Sequence, residues 1–278
     1  MAFPLDHTGQ MRADLDAGAA AWERLGFLLS PETPQQGAVP GTGGMQPWAT
    51  ANRCALFHEG YLELIGIRAP DRFNPWAHFM ARHEGVHIAA FRCASADEAW
   101  PGMAAQGFAP PVRRARSTPA GEIRFRNIFS EDARWPEGRI IVIEHQTPEI
   151  LWRPELLEHP NGASALRQCL FVSDRPDELA ARLSAFGADP AGYAVLPAGD
   201  FAEAFPGEAA PPFPCMAGQV IAFADLDRAI CLMEGNGVPV GHDSLGRTFV
   251  GRAHNNGAVM VLIEDGPARS RSGIDAMS

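Results

Sequence analysis

No stretch of the 278-residue chain approaches 18 consecutive apolar residues, the length a membrane-spanning helix needs. Its N-terminus lacks a basic region leading into an apolar one, so no secretory leader is expected and the chain is read as cytoplasmic. Cysteine is sparse and odd in number. The five (Cys54, Cys93, Cys169, Cys215 and Cys231) are widely spaced and mostly set in apolar runs, which argues against a disulfide framework or a zinc knuckle and for reduced core thiols. Positive charge is also in short supply: the formal net charge is −10 and the only basic cluster is Arg113, Arg114 and Arg116. Nucleic acid and anionic membrane surfaces are therefore not expected partners. There is no P-loop, no Gly-x-Gly-x-x-Gly after a strand and no Ser-His-Asp ordering, which disfavours nucleotide chemistry and triad hydrolysis.

What the chain does contain is a repeat. Residues 4–27, "PLDHTGQMRADLDAGAAAWERLGF", give an apolar strand carrying His7, an aspartate helix start, an alanine-rich body and a closing Gly-Phe; residues 85–108, "GVHIAAFRCASADEAWPGMAAQGF", repeat this with His87. Third and fourth copies follow at "LRQCLFVSDRPDELAARLSAFGA" and "GQVIAFADLDRAICLMEGNGV", with Gln168 and Gln219 in place of the histidines. Each helix has Asp or Ser-Asp where an N-cap is wanted and glycine where a left-handed C-cap is wanted. The β-like runs "ANRCALFHE" and "GYLELIGI" follow the first helix, "GEIRFRNIFS" and "GRIIVIEHQ" the second, and "RTFVGRAHNNGAVMVLIE" the fourth. Each unit reads as β-α-β-β-β. The third is shortened by the proline-rich connector "EAAPPFPC", and residues 31–50 and 68–84 read as long loops. Units one and two predict one domain (1–150), residues 151–165 a linker, and units three and four a second domain (166–278).

A second feature repeats with the strands. Glu63 in "YLELIGI" and Glu144 in "RIIVIEHQ" are acids in apolar strands, costly to bury unless paired or bound. His7 and His87 stand 80 positions apart, and Glu63 and Glu144 stand 81 apart. Two imidazoles and two carboxylates in near register suit one divalent ion, whether Zn, Ni, Co, Mn or Fe.

The elements "LDHTGQMRADLD…ERLGF", "YLELIGI", "GVHIAAF" and "AAQGF" resemble the glyoxalase/bleomycin-resistance/dioxygenase (vicinal oxygen chelate) superfamily. This resemblance implies an α+β fold of four βαβββ modules, pairing into two incomplete-barrel, glyoxalase-like domains, with a metal in a cavity on residues from first and last strands. Carried over, His7, Glu63 and His87 match ligand positions. The fourth is Glu144, with His145 as the alternate, because placing Gly138 on the family's glycine puts the ligand position at Val142. The second half, with Gln168, Gln219 and Val261, predicts a similar cavity without metal.

Trp48, Asn52 and Arg53 in "WATANRCALF" are candidate substrate contacts, with a surface salt bridge equally open for Arg53. Arg113 and Arg114 are candidates for an anion clamp, set against a solvated loop. His159 reads as a turn residue and His254 is unassigned. The expected activity is that of a metal-dependent lyase or isomerase acting on vicinal oxygens of a small substrate, with Glu63 or Glu144 doubling as base. A ring-cleaving extradiol-type dioxygenase and a non-catalytic small-molecule binding or resistance protein stand as alternatives. A small-molecule substrate and a homodimer are the expected partners.

Overall fold

The computed structural model describes residues 2–266. The first module is β1 (Leu5–Asp14), α1 (Leu15–Arg24), β2 (Thr33–Ala38), β3 (Met45–Leu56) and β4 (Tyr61–Ile67). After the short α2 (Ala77–Met80) comes the second: β5 (Gly85–Arg92), α3 (Ala96–Ala99), β6 (Val112–Thr118), β7 (Gly121–Phe129) and β8 (Arg139–His145). The short α4 (Pro148–Leu151) leads to a third module with only two strands, β9 (Ala163–Ser173), α5 (Pro176–Phe186) and β10 (Tyr193–Pro197), closed by α6 (Phe201–Ala204). The fourth is β11 (Cys215–Phe223), α7 (Leu226–Gly235), β12 (Val240–His242), β13 (Thr248–Val250) and β14 (Val259–Glu264).

Modules one and two form one eight-stranded sheet in the order β2-β3-β4-β1-β5-β8-β7-β6, with β1 and β5 antiparallel at its centre. Modules three and four form a six-stranded sheet, β10-β9-β11-β14-β13-β12. This is the α+β, glyoxalase-like architecture of incomplete barrels. The stretch read as a loop at 31–50 instead supplies β2 and the start of β3, which extend the first sheet.

Strand alternation sorts the apolar residues into separate cores. On β8, Ile140 and Val142 join Leu15, Trp22 and Phe91 in the main core, which also takes Leu166, Phe171 and Ile221 from the second sheet. Ile141 and Ile143, one step out of phase, face inward with Met11, Ile65 and Ile88. Asp14 caps α1 by accepting from the Ala17 N–H, and the helix buries Leu15, Ala19 and Trp22 against the sheet. Between the sheets runs a polar seam. Trp22 Nε1 donates to Asn255 Oδ1 (2.8 Å), Asn255 Nδ2 to Gln219 Oε1 (3.4 Å), and Gln219 Nε2 to Gln10 Oε1 (3.1 Å). Gln10 Nε2 closes the circuit on the Asn255 carbonyl (2.9 Å). Among the described residues no helix is long and apolar enough to cross a membrane.

Candidate functional site

The curved first sheet encloses a cavity of about 440 Å³ whose wall includes His7, Tyr61, Glu63, Asn127, His145 and Trp48. Its chemistry is concentrated around Asp6, a residue the sequence reading passed over. Asp6 is buried (1 % exposed). It lies at a β-bulge, where β1 shifts register against β5 between Leu5 and His7; a bulge re-aims side chains, so consecutive residues can serve one site. His7 Nδ1 lies 2.8 Å from Asp6 Oδ1, and His145 Nε2 lies 3.1 and 3.2 Å from the two Asp6 oxygens. Burial by itself would raise the Asp6 pKa, but the hydrogen bonds from His145 and His7 outweigh it and hold the carboxyl well below the usual range.

An ionised carboxylate only accepts, so both nitrogens touching Asp6 carry hydrogen. His7 Nε2 and His145 Nδ1 have no protein partner among the described residues, and both rings line the cavity. Tyr61 stacks on His7 (centroids 4.3 Å, planes 18° apart) and Trp152 meets His145 edge-on at 4.9 Å, locking the rings. Gly60 makes room for this. Its φ is +77°, and a Cβ there would stand 2.7 Å from the Asp6 carbonyl oxygen, so a larger residue would be both strained and in collision.

Glu63 faces the cavity two residues beyond Tyr61 and accepts from Asn52 Nδ2. Cys54, paired across from Glu63, is no nucleophile: burial first, then the Glu63 charge, pushes its thiol up to about 12. Trp48 lines the cavity at right angles to Trp76, at 6.3 Å.

Two proposed ligands lie elsewhere. His7 pairs with Ala90, so His87 stands three residues farther along β5, about 10 Å at strand rise. It is the extra residue of a second bulge, where Gly9 and Gln10 oppose Ile88 and Val86. Its ring packs on Phe79 (5.4 Å) and His83 (4.2 Å), with Nε2 on the His83 carbonyl (2.9 Å). Burial, then the nearby His83, pushes its pKa down to about 3. Glu144 is on the back of β8, accepting from the Ala96 N–H (2.9 Å) at the start of α3, while its neighbour His145 faces in. The histidine offset of 80 maps Glu63 onto Ile143; the glutamate offset of 81 maps it onto Glu144, and a one-residue slip in a strand exchanges faces. Arg53 also lies outside, bonded to the Ser30 carbonyl and Glu23. On β6, Arg114 and Arg116 line the cavity and Arg113 does not. His159 bridges the Leu28 N–H and the Leu56 carbonyl.

The donors present do not fit the four-ligand metal set. Ile88 and Ala90 occupy the inward positions of β5, and Ile141 and Ile143 those of β8. Among the described residues no group of three or more His, Cys, Asp or Glu side chains is arranged to hold an ion.

The second sheet is different. Gln168 borders a space of about 490 Å³ with Leu196, Glu203 and Arg247, while Gln219 faces the seam. The concave face is packed by Phe201, Phe205 and Phe249 against Leu170 and Val220.

A family model described as "Glyoxalase-like domain" matches residues 5–187. No match is found among curated protein sequences. Among solved structures, a hypothetical protein from Staphylococcus aureus aligns with TM-score 0.63 at 8% identity, covering 95% of this chain and 100% of that one. A mutant of 4-hydroxymandelate synthase from Streptomyces coelicolor gives 0.63 at 12%, covering 96% and 94%. The Mn(II)-bound glyoxalase from Novosphingobium aromaticivorans gives 0.52 at 13%, covering 95% and 82%.

Proposed function

The chain belongs to the glyoxalase-like domain family, and from that premise we propose that its first barrel binds a small oxygenated organic substrate and moves a proton at a carbon beside a carbonyl, as an isomerase or lyase does. The observation that carries this reading is the pair of imidazoles on one buried carboxylate. Asp6 holds His7 in the tautomer with hydrogen on Nδ1, which leaves the Nε2 lone pair facing the cavity as a general base; it also stabilises the imidazolium that forms on proton uptake. His145 presents Nδ1 from the other side of the same carboxylate. The apolar wall of Ile88, Ile141 and Ile143 keeps water from competing for the proton.

The test is deuterium exchange. A panel of small ketones, 2-oxo acids and hydroxy acids is incubated with the protein in D2O and followed by proton NMR. The expected result is loss of the signal beside the carbonyl for at least one member, abolished in His7→Ala. No exchange across the panel, or exchange that survives His7→Ala, overturns the reading and favours a binding-only protein.

A metal-dependent reading draws its weight from the Mn(II)-bound relative. It is supported here by the way each imidazole gives one nitrogen to Asp6 and keeps the other free, as metal-ligating histidines do. Exchange that appears only on adding Mn(II), or stops with chelator, would replace the metal-free base with this reading. A dioxygenase reading rests on the 4-hydroxymandelate synthase likeness and is tested by oxygen uptake over the same panel.

A further inference from the structure

On β6 the sequence Arg-Arg-Ala-Arg alternates faces, so Arg114 and Arg116 look into the cavity from the edge of the sheet. Arg114 lies over Phe129 (5.8 Å to the ring centre) and Arg116 over Phe125 (5.4 Å). The third cavity arginine, Arg139, is already neutralised: its Nε donates to Asp132 (2.9 Å) and it stacks on Trp76 (5.0 Å). Arg114 and Arg116 form no ion pair among the described residues. Burial lowers the Arg114 pKa, the mark of a cation taken out of water without a counter-charge. The Arg116 charge is felt by Tyr61 and Cys54 on the opposite strands, where it opposes the rise in their pKa values. On β7, Asn127 lines the cavity, is buried (7 % exposed) and its Oδ1 has no partner, an acceptor open to a hydrogen-bond donor on the body of a bound molecule and not to its anionic head.

The chain contains no lysine, so all 23 of its cationic side chains are guanidinium groups. Guanidinium presents a planar fork that matches a carboxylate, whereas ammonium offers a point charge. In a chain of net charge −10, two guanidinium groups without an ion-pair partner among the described residues stand over aromatic rings at the β6 edge of the main cavity, with Glu63 in the same lining. The apolar wall between the two ends, with Trp48, Trp76 and Ile123, suits a flat or branched hydrocarbon body.

We propose that the cavity selects an organic carboxylate, its anionic head held by Arg114 and Arg116 and its apolar body directed toward His7. This rests on the cavity being the substrate site but not on any step of the chemistry. The measurement is the affinity of phenylacetate, 3-phenylpropanoate and 4-phenylbutanoate against their primary amides, by calorimetry and by quenching of tryptophan fluorescence, for the wild type, His7→Ala and the double variant R114Q/R116Q. At least one carboxylate is expected to bind tenfold or more tighter than its amide. That preference should fall below twofold in R114Q/R116Q at unchanged melting temperature, and persist in His7→Ala. Equal affinity of acids and amides, a preference that survives R114Q/R116Q, or no binding by any member overturns the proposal. Absence of deuterium exchange in the wild type, with its carboxylate preference intact, would instead count against the proton-transfer reading alone.

Discussion

The two sheets are built from the same repeated module, yet among the described residues only the first holds a buried acid between two imidazoles. In the first sheet the inward positions include His7, Tyr61, Glu63 and His145, and the space between them is open. In the second, three phenylalanines from α6, its C-terminal end and β13 pack against Leu170 and Val220, beside a space of about 490 Å³ bordered by Gln168, Glu203 and Arg247. Both halves share one displacement: His87 on β5 and Gln219 on β11, which follow the repeat, each lie off the concave face. What separates the two here is the buried acid that orients the donors: Asp6 holds His7 and His145 in the first sheet, and Gln168 stands where His7 does in the repeat of the second.

Several changes would break or sharpen this contrast. The largest effect is expected at His7. His7→Ala should reduce deuterium exchange about 10²- to 10⁴-fold, the usual contribution of a positioned base, and should also cost about 1–3 kcal/mol of stability by removing one of the two donors to the buried Asp6 carboxylate; the matching Gln168→Ala should leave exchange unchanged. Phe205→Ala should destabilise the protein by about 3–5 kcal/mol in urea titration, because it removes a buried ring packed on Phe201 and Phe249. Ile143→Ala removes a smaller side chain and should cost about 2–5 kcal/mol, toward the lower end.

Next comes the seam. Trp22→Phe leaves Asn255 Oδ1 buried without its donor, at a cost of about 1–3 kcal/mol. If the seam couples the sheets, tryptophan fluorescence and far-UV circular dichroism will still report one transition, and two separate transitions would show that they unfold independently.

The effect smallest at neutral pH is a pH dependence. His87 is held neutral in the fold, with its pKa pushed down to about 3 from the ordinary 6.5, so the unfolded chain binds the extra proton. Its contribution to stability is therefore fully present above pH 6.5 and is lost as pH falls toward 3. His87→Gln should flatten the stability profile in that window. A slope unchanged by the substitution would mean other groups carry the acid sensitivity.

Much of the architecture was legible because its signals are local. The aspartate helix starts, of which Asp14 caps α1, and the alternating strand runs each act through the backbone next to them. The shortened third unit also showed, since its proline-rich connector cannot supply ladder donors. His7 and Glu63 were legible as polar residues out of place in apolar strands, and they do share the cavity. Asp6, adjacent to His7, was hidden because strict alternation assigns it to the opposite face, and only the bulge overrides that.

Taken alone, the amino-acid order determined the modules, their count and the inward polarity of the first sheet, because capping and period-two patterning are properties of neighbouring residues. Tertiary structure decided which polar residues meet. Antiparallel pairing of β1 with β5 carried His87 about 10 Å along the strand from His7. A single residue of register put His145 inside and Glu144 outside, and a bulge brought Asp6 between two imidazoles that lie 138 positions apart in the chain. Such choices depend on strand register across long separations, which no local stretch of sequence records.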